Sequence, residues 1–370
     1  MMKFLNTLLF KTNLKTKIQT RFINHINLFG LNKPEKVNKP VNILVVGAAG
    51  QISYSLLPRL SRGEIYGPDT PVVLKMFDLP RLEKVMAGVK MELEDCAFTA
   101  LKDVQIFTNP SVAFKNNDII IMLASFMELS ANMVRADLLK SNISLYKEFS
   151  EYLKESTNKD VKILMAANPV NSLCLLLIDS LKGFINPTNF TGLCRLDHDR
   201  SIHMIAHKLS VAVNHVRKVI VWGNHSNTMY PDIRFAEVLI DKEWKKVMEV
   251  LKDKEWAKNI FVPTVRGRGL DVRKARGKSS CIATSNAIVN HLRNWLVGTE
   301  PNDWVSMGIY TDYAYNFIPP GLVYSEPCIC SNGSYTVVND LQIDEFTREM
   351  ILISAKDLLQ ERDAIANIIK

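Results

Sequence analysis

Two polar clusters in the second half of the chain carry residue types that move protons. Residues 194–200 read CRLDHDR, and residues 222–228 read WGNHSNT. An imidazole titrates near neutral pH, so His225 is a candidate general acid or base beside a reacting carbonyl group. A buried carboxylate such as Asp197 would orient that imidazole and stabilise its charged form. The spacing in sequence does not by itself place Asp197 beside His225.

A glycine-containing turn is the second candidate site. Residues 47–52, GAAGQI, follow the apolar run VNILVV and lead into a helical segment at residues 53–60. Gly47 and Gly50 would let the backbone turn sharply and approach a pyrophosphate. The N–H groups around Gln51 and Ile52, at the helix N-terminus, would meet its charge. A Gly-x-x-Gly sequence also makes ordinary tight turns, so its context has to support this interpretation.

Asp78 supplies that context because it ends the next strand-like run, VVLKMF at residues 72–77. A carboxylate there can accept hydrogen bonds from adenosine ribose hydroxyls and would repel a 2′-phosphate, which favours NAD over NADP. The separation from Gly47 exceeds the usual one, and the loop at residues 62–71 accounts for the excess. The alternative is that Asp78 only caps the following turn.

The strands and helices that would position these residues alternate in the first half of the chain. Apolar, β-branched runs occur at residues 41–46, 72–77, 118–123 and 161–166, with helix-length segments between the first three and another at 135–154. This alternation predicts an α/β fold with a Rossmann-type doubly wound parallel sheet. We therefore expect an NAD-binding Rossmann domain over residues 41–190.

The second half predicts an α+β substrate and catalytic lobe over residues 191–370. Isolated strands are expected at residues 219–222 and 334–338, and long helices at 279–297 and 344–369. Residues 241–258 look like an amphipathic surface helix. The six cysteines form neither a paired metal-binding pattern nor a disulfide framework, so we expect reduced, mostly buried thiols and no metal site. The longest apolar runs are too short to span a membrane.

Residues 1–40 form a basic leader. They hold eight basic residues and one acid, so the rest of the chain has 38 basic and 37 acidic residues and gives no net-charge argument for binding nucleic acid. An apolar helical face at Leu14, Ile18, Phe22 and Ile26, without acids before Glu35, is typical of a mitochondrial transit peptide. The expected location is the mitochondrial matrix, with the cytoplasm as the alternative if the leader is a disordered basic tail.

Five short sequences carry a resemblance to a known family. They are GAAGQI (47–52), MELEDCA (91–97), NP (168–169), RLDH (195–198) and WGNHS (222–226). From Val41 to its C-terminus the chain resembles the cytosolic-type branch of the malate and lactate dehydrogenase superfamily. The resemblance implies NAD as cofactor, a homodimer, and interconversion of a 2-hydroxy acid and a 2-oxo acid.

The resemblance also implies roles for individual residues. His225 would be the proton donor and acceptor, Asp197 its partner, and Arg200 the group that binds the substrate carboxylate. A guanidinium can grip a carboxylate with two parallel hydrogen bonds, which suits that role. The remaining residues expected at the cofactor site or in the substrate pocket are Asn142, Ala167, Asn168 and Ser280.

The sequence departs from the family pattern in the loop at residues 124–137. Malate dehydrogenases carry two arginines there, one on the far carboxylate and one that polarises the carbonyl. Only Arg135 is present here, at the carbonyl-polarising position, and the other arginine is replaced by Glu128 or Leu129. An unpaired second carboxylate would cost about 2–5 kcal/mol, so malate and oxaloacetate are expected to be poor substrates.

Phe149 is a second departure, at a position near the cofactor where the family usually has glutamine.

Two hypotheses about function follow from these departures and from the residues that are kept. The chain is an active NAD-dependent 2-hydroxy-acid dehydrogenase with altered substrate choice, or it is a catalytically weakened relative that serves as a structural or assembly subunit. The presence of His225, Asp197 and Arg200 favours the first hypothesis.

Overall fold

Short apolar runs form the centre of the sheet. The computed structural model describes residues 39–126, 135–155, 158–251, 253–312 and 314–369, so residues 1–38 of the leader and Glu128 and Leu129 of the loop lie outside it. Strands β1 (Val41–Val46) and β4 (Ile119–Met122) pair in parallel, and their apolar side chains are almost wholly buried. Strands that are buried on both faces consist of continuous apolar residues, so they are easy to recognise in the sequence.

Ten of the remaining strands flank this pair or follow it along the described part of the chain. They are β2 (Val72–Phe77), β3 (Leu101–Phe107), β5 (Lys162–Met165), β6 (Phe190–Gly192), β7 (Val216–Arg217), β8 (Ile220–Trp222), β9 (Tyr230–Asp232), β10 (Glu237–Ile240), β11 (Glu243–Lys246) and β12 (Val305–Tyr310). The last two, β13 (Val323–Ser331) and β14 (Ser334–Val337), form a hairpin through a tight turn.

Nine of these strands make one sheet in the order β14-β13-β12-β6-β5-β4-β1-β2-β3. The six strands from β6 to β3 are parallel neighbours, and their order is that of a doubly wound Rossmann sheet. The other three, β12 to β14, extend the sheet in antiparallel fashion. The order reverses between β1 and β4, and ligands of such sheets bind beyond the carboxyl ends of the strands at that point.

Helices cover both faces of the sheet. They are α1 (Gln51–Ser61), α2 (Glu83–Asp95), α3 (Pro110–Ala113), α4 (Arg135–Lys154), α5 (Val170–Ser180), α6 (Arg195–Leu209), α7 (Val247–Leu251), α8 (Lys254–Trp256), α9 (Val262–Arg276), α10 (Cys281–Leu296) and α11 (Glu345–Ile369). One apolar cluster lies between the sheet and α1 and α10, and a second lies between the sheet and α4 and α5. The predicted mixed α/β class is therefore confirmed.

Three details of the sequence interpretation are wrong. Residues 241–258 are not one helix, because Asp241 and Lys242 take positive φ angles of 54° and 67° in a turn before β11. The predicted strand at 334–338 is not isolated, since β14 is the edge of the main sheet. Strand β3 was not predicted, because Lys102 and Asp103 are exposed and break the apolar pattern expected of a buried strand.

The described residues contain no helix that is long and apolar enough to cross a membrane. All six cysteines are free thiols, and five of them are buried, with Cys96 as the exposed exception. Burial raises the pKa of the Cys194 and Cys330 thiols to about 12. These thiols are therefore neutral, apolar members of the core at ordinary pH.

Candidate active site

The fold brings Asp197, His225 and Arg200 into direct contact. Asp197 lies in the first turn of α6 and is 1% exposed. Its Oδ2 lies 2.5 Å from Nδ1 of His225, and its Oδ1 accepts a hydrogen bond of 2.6 Å from Nη1 of Arg200. The His225 side chain is 24% exposed, so the imidazole is partly accessible to solvent. The buried carboxylate of Asp197 therefore orients two groups, the imidazole of His225 and the guanidinium of Arg200.

Charge sets the proton affinities of this cluster. The carboxylate of Asp197 raises the pKa of His225 above 6.5, against the opposing effects of burial and of the Arg200 charge. Burial works to raise the pKa of Asp197, yet the charges and hydrogen bonds of His225 and Arg200 outweigh it and lower that pKa. The pair therefore favours a protonated imidazole beside an ionised carboxylate at neutral pH.

His198, one residue along from Asp197, has a different environment. It is fully enclosed, and its Nδ1 lies 3.0 Å from Ser306 Oγ, which also accepts a hydrogen bond from the Val221 N–H. Burial, with the charge of Arg195, lowers the pKa of His198 well below 6.5. His198 is therefore a neutral core residue that ties α6 to β12, which leaves His225 as the candidate acid/base group.

Backbone geometry fixes the loop that presents His225. Strand β8 ends at Trp222, and Gly223 follows with φ +97°, where a Cβ would overlap the side chain of Ser354 on α11. The backbone N–H of His225 donates to Oδ1 of Asn171, at 3.0 Å. Asn171 lies on α5, and its amide also donates to the Val323 carbonyl. Asn171 was not among the residues predicted from the sequence, because its hydrogen bond to His225 joins positions 54 residues apart.

The glycine turn has the shape that a dinucleotide phosphate requires. Gly47 has φ +92°, and a Cβ there would lie 2.7 Å from the backbone nitrogen of Ala124 at the end of β4. Gly50 precedes α1, which begins without a side-chain cap from the residues that the structure describes. The first-turn N–H groups of Gln51 and Ile52 therefore remain available to an anion. The predicted residues of the turn fit the pyrophosphate of NAD.

Asp78 lies at the carboxyl end of β2 and reaches the same turn. Its Oδ2 accepts a hydrogen bond of 2.9 Å from the Ala49 N–H, and its Oδ1 accepts one of 2.8 Å from the Leu79 N–H. The alternative weighed from the sequence, a turn-capping role, is therefore realised in the structure. The two roles are compatible, because a carboxylate has several lone pairs and the side chain lies beside the glycine turn.

The remaining predicted cofactor residues lie at the carboxyl ends of β4 and β5. Asn142 on α4 is buried, and its Oδ1 accepts a hydrogen bond of 2.7 Å from the Phe126 N–H just beyond β4. The side-chain amide of Asn142 is therefore hydrogen-bonded to the backbone of Phe126. Ala167 is buried and Asn168 is exposed immediately after β5, and the peptide bond from Asn168 to Pro169 is cis.

Ser280 and Arg200 line a shared cleft of about 310 Å³ between α6, α9 and α10. Arg268 also lines this cleft, so its wall carries two guanidinium groups, together with the carboxylate of Asp199. Ser280 precedes the first residue of α10. Ser280 was predicted to lie in the substrate pocket, and Arg200 to bind the substrate carboxylate. Both residues line the same cleft.

Phe149 lies inside an aromatic cluster. It is 4% exposed and packs against Phe77, Phe114 and Tyr146, with ring centroids 5.3–6.1 Å apart. Phe77 directly precedes Asp78, so the cluster supports the end of β2. Phe149 therefore adds apolar packing behind the end of β2 and the glycine turn that Asp78 contacts.

Arg135 begins α4, and its side chain lies outside the described part of the structure.

A dinucleotide fold beside a charged imidazole–carboxylate pair is the architecture of an NAD-dependent dehydrogenase. Two family models agree with this class. The lactate/malate dehydrogenase NAD binding domain matches residues 41–190, and the lactate/malate dehydrogenase alpha/beta C-terminal domain matches residues 194–369. The chain belongs to the lactate/malate dehydrogenase family, which confirms the resemblance seen in its sequence. It is an NAD-dependent oxidoreductase of 2-hydroxy acids.

Individual relatives cover almost the whole folded part. Malate dehydrogenase 3, cytoplasmic, of Arabidopsis thaliana is 42% identical over 324 residues, which are 88% of this chain and 95% of the relative. The crystal structure of malate dehydrogenase from Naegleria fowleri is similar with a TM-score of 0.83 and 36% identity, covering 89% of this chain and 99% of that one. Trichomonas vaginalis lactate dehydrogenase in complex with NADH and oxamate matches with a TM-score of 0.83 and 35% identity over 89% and 99% of the two chains.

Proposed function

We propose that His225 is the proton donor and acceptor of an NAD-dependent 2-hydroxy-acid dehydrogenase. The observation that carries the proposal is the single carboxylate of Asp197, which contacts His225 with one oxygen and Arg200 with the other. NAD, when bound, accepts or supplies the hydride. Because Nδ1 of His225 faces the carboxylate, Nε2 is the nitrogen that exchanges a proton with the substrate oxygen.

Arg200 would hold the carboxylate of the substrate. Its Nη1 bonds to Asp197, and the planar guanidinium has further N–H groups that can form parallel hydrogen bonds with a second carboxylate. Asn168, exposed at the carboxyl end of β5, would contact the substrate and the nicotinamide, and Arg135 would polarise the reacting carbonyl. Ser280, which shares a cleft with Arg200, would border the substrate side chain.

The preferred substrate would be a 2-oxo acid with one carboxylate. A dicarboxylate such as oxaloacetate needs a second cation, and the loop position that would supply it is Glu128 or Leu129. Leaving the second carboxylate unpaired in a closed site would cost about 2–5 kcal/mol, which is roughly 30- to several-thousand-fold in kcat/KM. The alternative function, a weakened structural or assembly subunit, is favoured by this loop and by Phe149, but the complete Asp197–His225–Arg200 contacts support turnover.

The test is NADH oxidation by a protein that begins at Lys39, with oxaloacetate, pyruvate and longer 2-oxo acids as substrates. We expect turnover of a monocarboxylic 2-oxo acid and its loss in His225→Asn. Leu129→Arg and Glu128→Arg, made separately, would show which position faces the substrate, because only the correct one would raise kcat/KM for oxaloacetate. A folded wild-type protein that binds NADH and reduces none of these acids would establish the weakened subunit instead.

A homodimer is the proposed assembly. Three apolar side chains are exposed on helices that are close in the fold: Tyr54 on α1 (55%), Met91 on α2 (61%) and Ile282 on α10 (75%). Helix α10 packs on α1, and Tyr54 bonds to Glu92 of α2 across an exposed surface. Exposed apolar patches of this kind mark protein interfaces. Light scattering of the wild type and of Ile282→Asp tests the proposal, and two monomeric samples would exclude it.

The leader would direct the chain to the mitochondrial matrix. Its basic, acid-poor composition supports import. The alternative, a cytoplasmic protein, agrees with the name of the Arabidopsis thaliana relative, whose similarity covers 88% of this chain. Fusion of residues 1–40 to a fluorescent reporter separates the two. A reporter that stays in the cytoplasm would remove the mitochondrial proposal.

A further inference from the structure

Helix α11 carries two polar residues that contact the loop bearing His225. Ser354 and Asp357 lie three residues apart and therefore on one face of the helix. Ser354 is fully buried, and its Oγ accepts a hydrogen bond of 3.0 Å from the Asn224 N–H. The same hydroxyl donates to Oδ1 of Asn224, at 2.8 Å. The residue before His225 is thus tied to the C-terminal helix by backbone and side chain.

Asp357 gathers three donors from the same loop. Its Oδ2 lies 2.7 Å from Nδ2 of Asn224, 2.9 Å from Oγ1 of Thr228 and 3.2 Å from Oγ of Ser226. These residues lie on both sides of His225 in sequence. Hydrogen bonds to an ionised acceptor are shorter and stronger than neutral ones. One carboxylate can therefore hold the residues on both sides of His225 in place.

We propose that Asp357 is a positioning residue for proton transfer by His225. The proposal rests on the proposed function, and it assigns to the C-terminal helix a part in aligning the acid/base group. Asp357 touches neither the imidazole nor Asp197. It acts through Asn224, Ser226 and Thr228, which fix the backbone from which His225 reaches Asp197 Oδ2 at 2.5 Å.

Three groups on three different elements hold the loop: two carboxylates and one neutral amide. Asp197 on α6 holds the imidazole, Asn171 on α5 holds its backbone N–H, and Asp357 on α11 holds the flanking side chains. Arg200 on α6 is the nearby cation. Without Asp357 the Asn171 bond, the Ser354 contacts and the hydrogen bond from Thr228 to Asn224 would remain, so we expect the loop to stay folded but to sample more positions.

The test measures the pKa of His225 by NMR titration of its imidazole in Asp357→Ala, in the protein without its leader. Looser pairing with Asp197 weakens the main cause that raises this pKa, so we expect the pKa to fall. The amides of residues 225–229 should exchange faster with solvent, and kcat should fall by about tenfold or more, since small misplacements of a reacting group cost that much. The KM for NADH should not change.

Asp363→Ala is the matched control, because Asp363 lies on the same helix, is 70% exposed and pairs only with Arg362 among the described residues. Asp357→Glu, which keeps the carboxylate, should recover part of the lost rate and raise the pKa again. If Asp357→Ala does not fold, the double variant Ser226→Ala and Thr228→Val removes two of the three donors from the loop side and should give the same shifts.

A His225 pKa and loop exchange equal to those of the wild type, in a folded variant, would overturn the proposal. A loss of thermal stability without a change in the pH profile would do the same, since it would make Asp357 a purely structural residue. Neither NMR measurement requires turnover. A wild type that reduces no 2-oxo acid therefore counts against the proposed function and leaves the test of Asp357 intact.

Discussion

His225 and Arg200 share one buried carboxylate. Asp197 meets the imidazole at 2.5 Å with Oδ2 and the guanidinium at 2.6 Å with Oδ1. The two cations therefore compete for the same negative charge: Asp197 raises the pKa of His225, and Arg200 lowers it. A substrate carboxylate bound to Arg200 would offset part of its charge, so substrate binding and protonation of His225 are expected to favour each other.

Asp197→Asn should move the pH dependence of carbonyl reduction to lower pH. The imidazole must carry a proton to act as an acid, so the rate is constant below the His225 pKa and falls tenfold per pH unit above it. Without the carboxylate charge, burial and Arg200 both lower that pKa, and kcat should fall by about 10²–10⁴-fold at pH 7.5. The measurement is kcat/KM against pH from 5 to 9.

Asp199→Asn is the control for this change. It removes an acid from the same helix, but Asp199 pairs with Arg195 and accepts a bond from Asn290 instead of contacting His225. In the control, kcat/KM should fall at the same pH as in the wild type. If kcat/KM of Asp197→Asn also falls at the wild-type pH, Asp197 does not set the protonation of His225.

Arg200→Gln should shift the His225 pKa in the opposite direction. Loss of the nearby cation removes a charge that lowers this pKa, so the imidazole should hold its proton to higher pH than in the wild type. The KM for the 2-oxo acid should rise by about 100-fold or more, because truncating a partner of a charge-assisted pair costs roughly 2–5 kcal/mol. NMR titration gives the pKa without substrate. Shifts of the same sign in Arg200→Gln and Asp197→Asn would contradict the shared-carboxylate arrangement.

Gly47→Ala should weaken NADH binding while the rest of the chain stays folded. The new Cβ would lie 2.7 Å from the Ala124 nitrogen, so the turn would have to move away from the position that a pyrophosphate requires. Fluorescence titration with NADH measures the loss, expected to be about tenfold or more in Kd, which is the cost of roughly one displaced phosphate contact.

Gly67→Ala separates the clash from backbone strain. Gly67 has φ +96°, close to the φ of +92° at Gly47, but a Cβ at Gly67 meets no atom within 4 Å. The two variants therefore share the strain of a positive φ, and only Gly47→Ala collides with the backbone of Leu123 and Ala124, just beyond β4. Equal loss of NADH binding in both would mean that strain, not the close approach to Ala124, explains the effect.

The sequence predicted those parts of the structure that local patterns encode. Buried parallel strands such as β1 and β4 are continuous apolar runs, and a glycine turn before a helix is a short-range signal. Strand β3 escaped notice because an edge strand with exposed Lys102 and Asp103 lacks that pattern. Strands β12 and β13 escaped for another reason, since buried polar residues such as Ser306 and Glu326 interrupt the continuous apolar run expected of a buried strand.

The same distinction divides the candidate site. Asp197 and His225 could be named from their residue types, but their contact depends on how α6 packs beside the loop after β8. Asn171 and Asp357 could not be ranked above other polar residues, because their hydrogen bonds to the loop exist only in the folded chain. Long-range side-chain contacts are therefore where the structure adds most to the sequence.

Glu326 on β13 is a buried acid that the sequence gave no reason to single out. It is 2% exposed, and its Oε2 has no hydrogen-bond partner among the described residues. Burial, with the negative charge of Asp312, raises its pKa from 4.5 to about 8. The carboxyl group is therefore largely neutral at pH 7 in the folded protein and would be ionised in the unfolded chain.

This raised pKa makes stability depend on pH. Between pH 4.5 and about 8 the folded state holds a proton that the unfolded state has released, so the free energy of unfolding falls as pH rises through that interval. Glu326→Gln removes the titration and keeps the shape. We expect it to stabilise the protein at pH 8 by less than about 4 kcal/mol, because the buried amide also lacks a partner, and to flatten the change in Tm between pH 5 and pH 8. Glu300→Gln, an exposed acid, should follow the wild type, and a Glu326→Gln curve parallel to the wild-type curve would mean that Glu326 is not protonated in the native state.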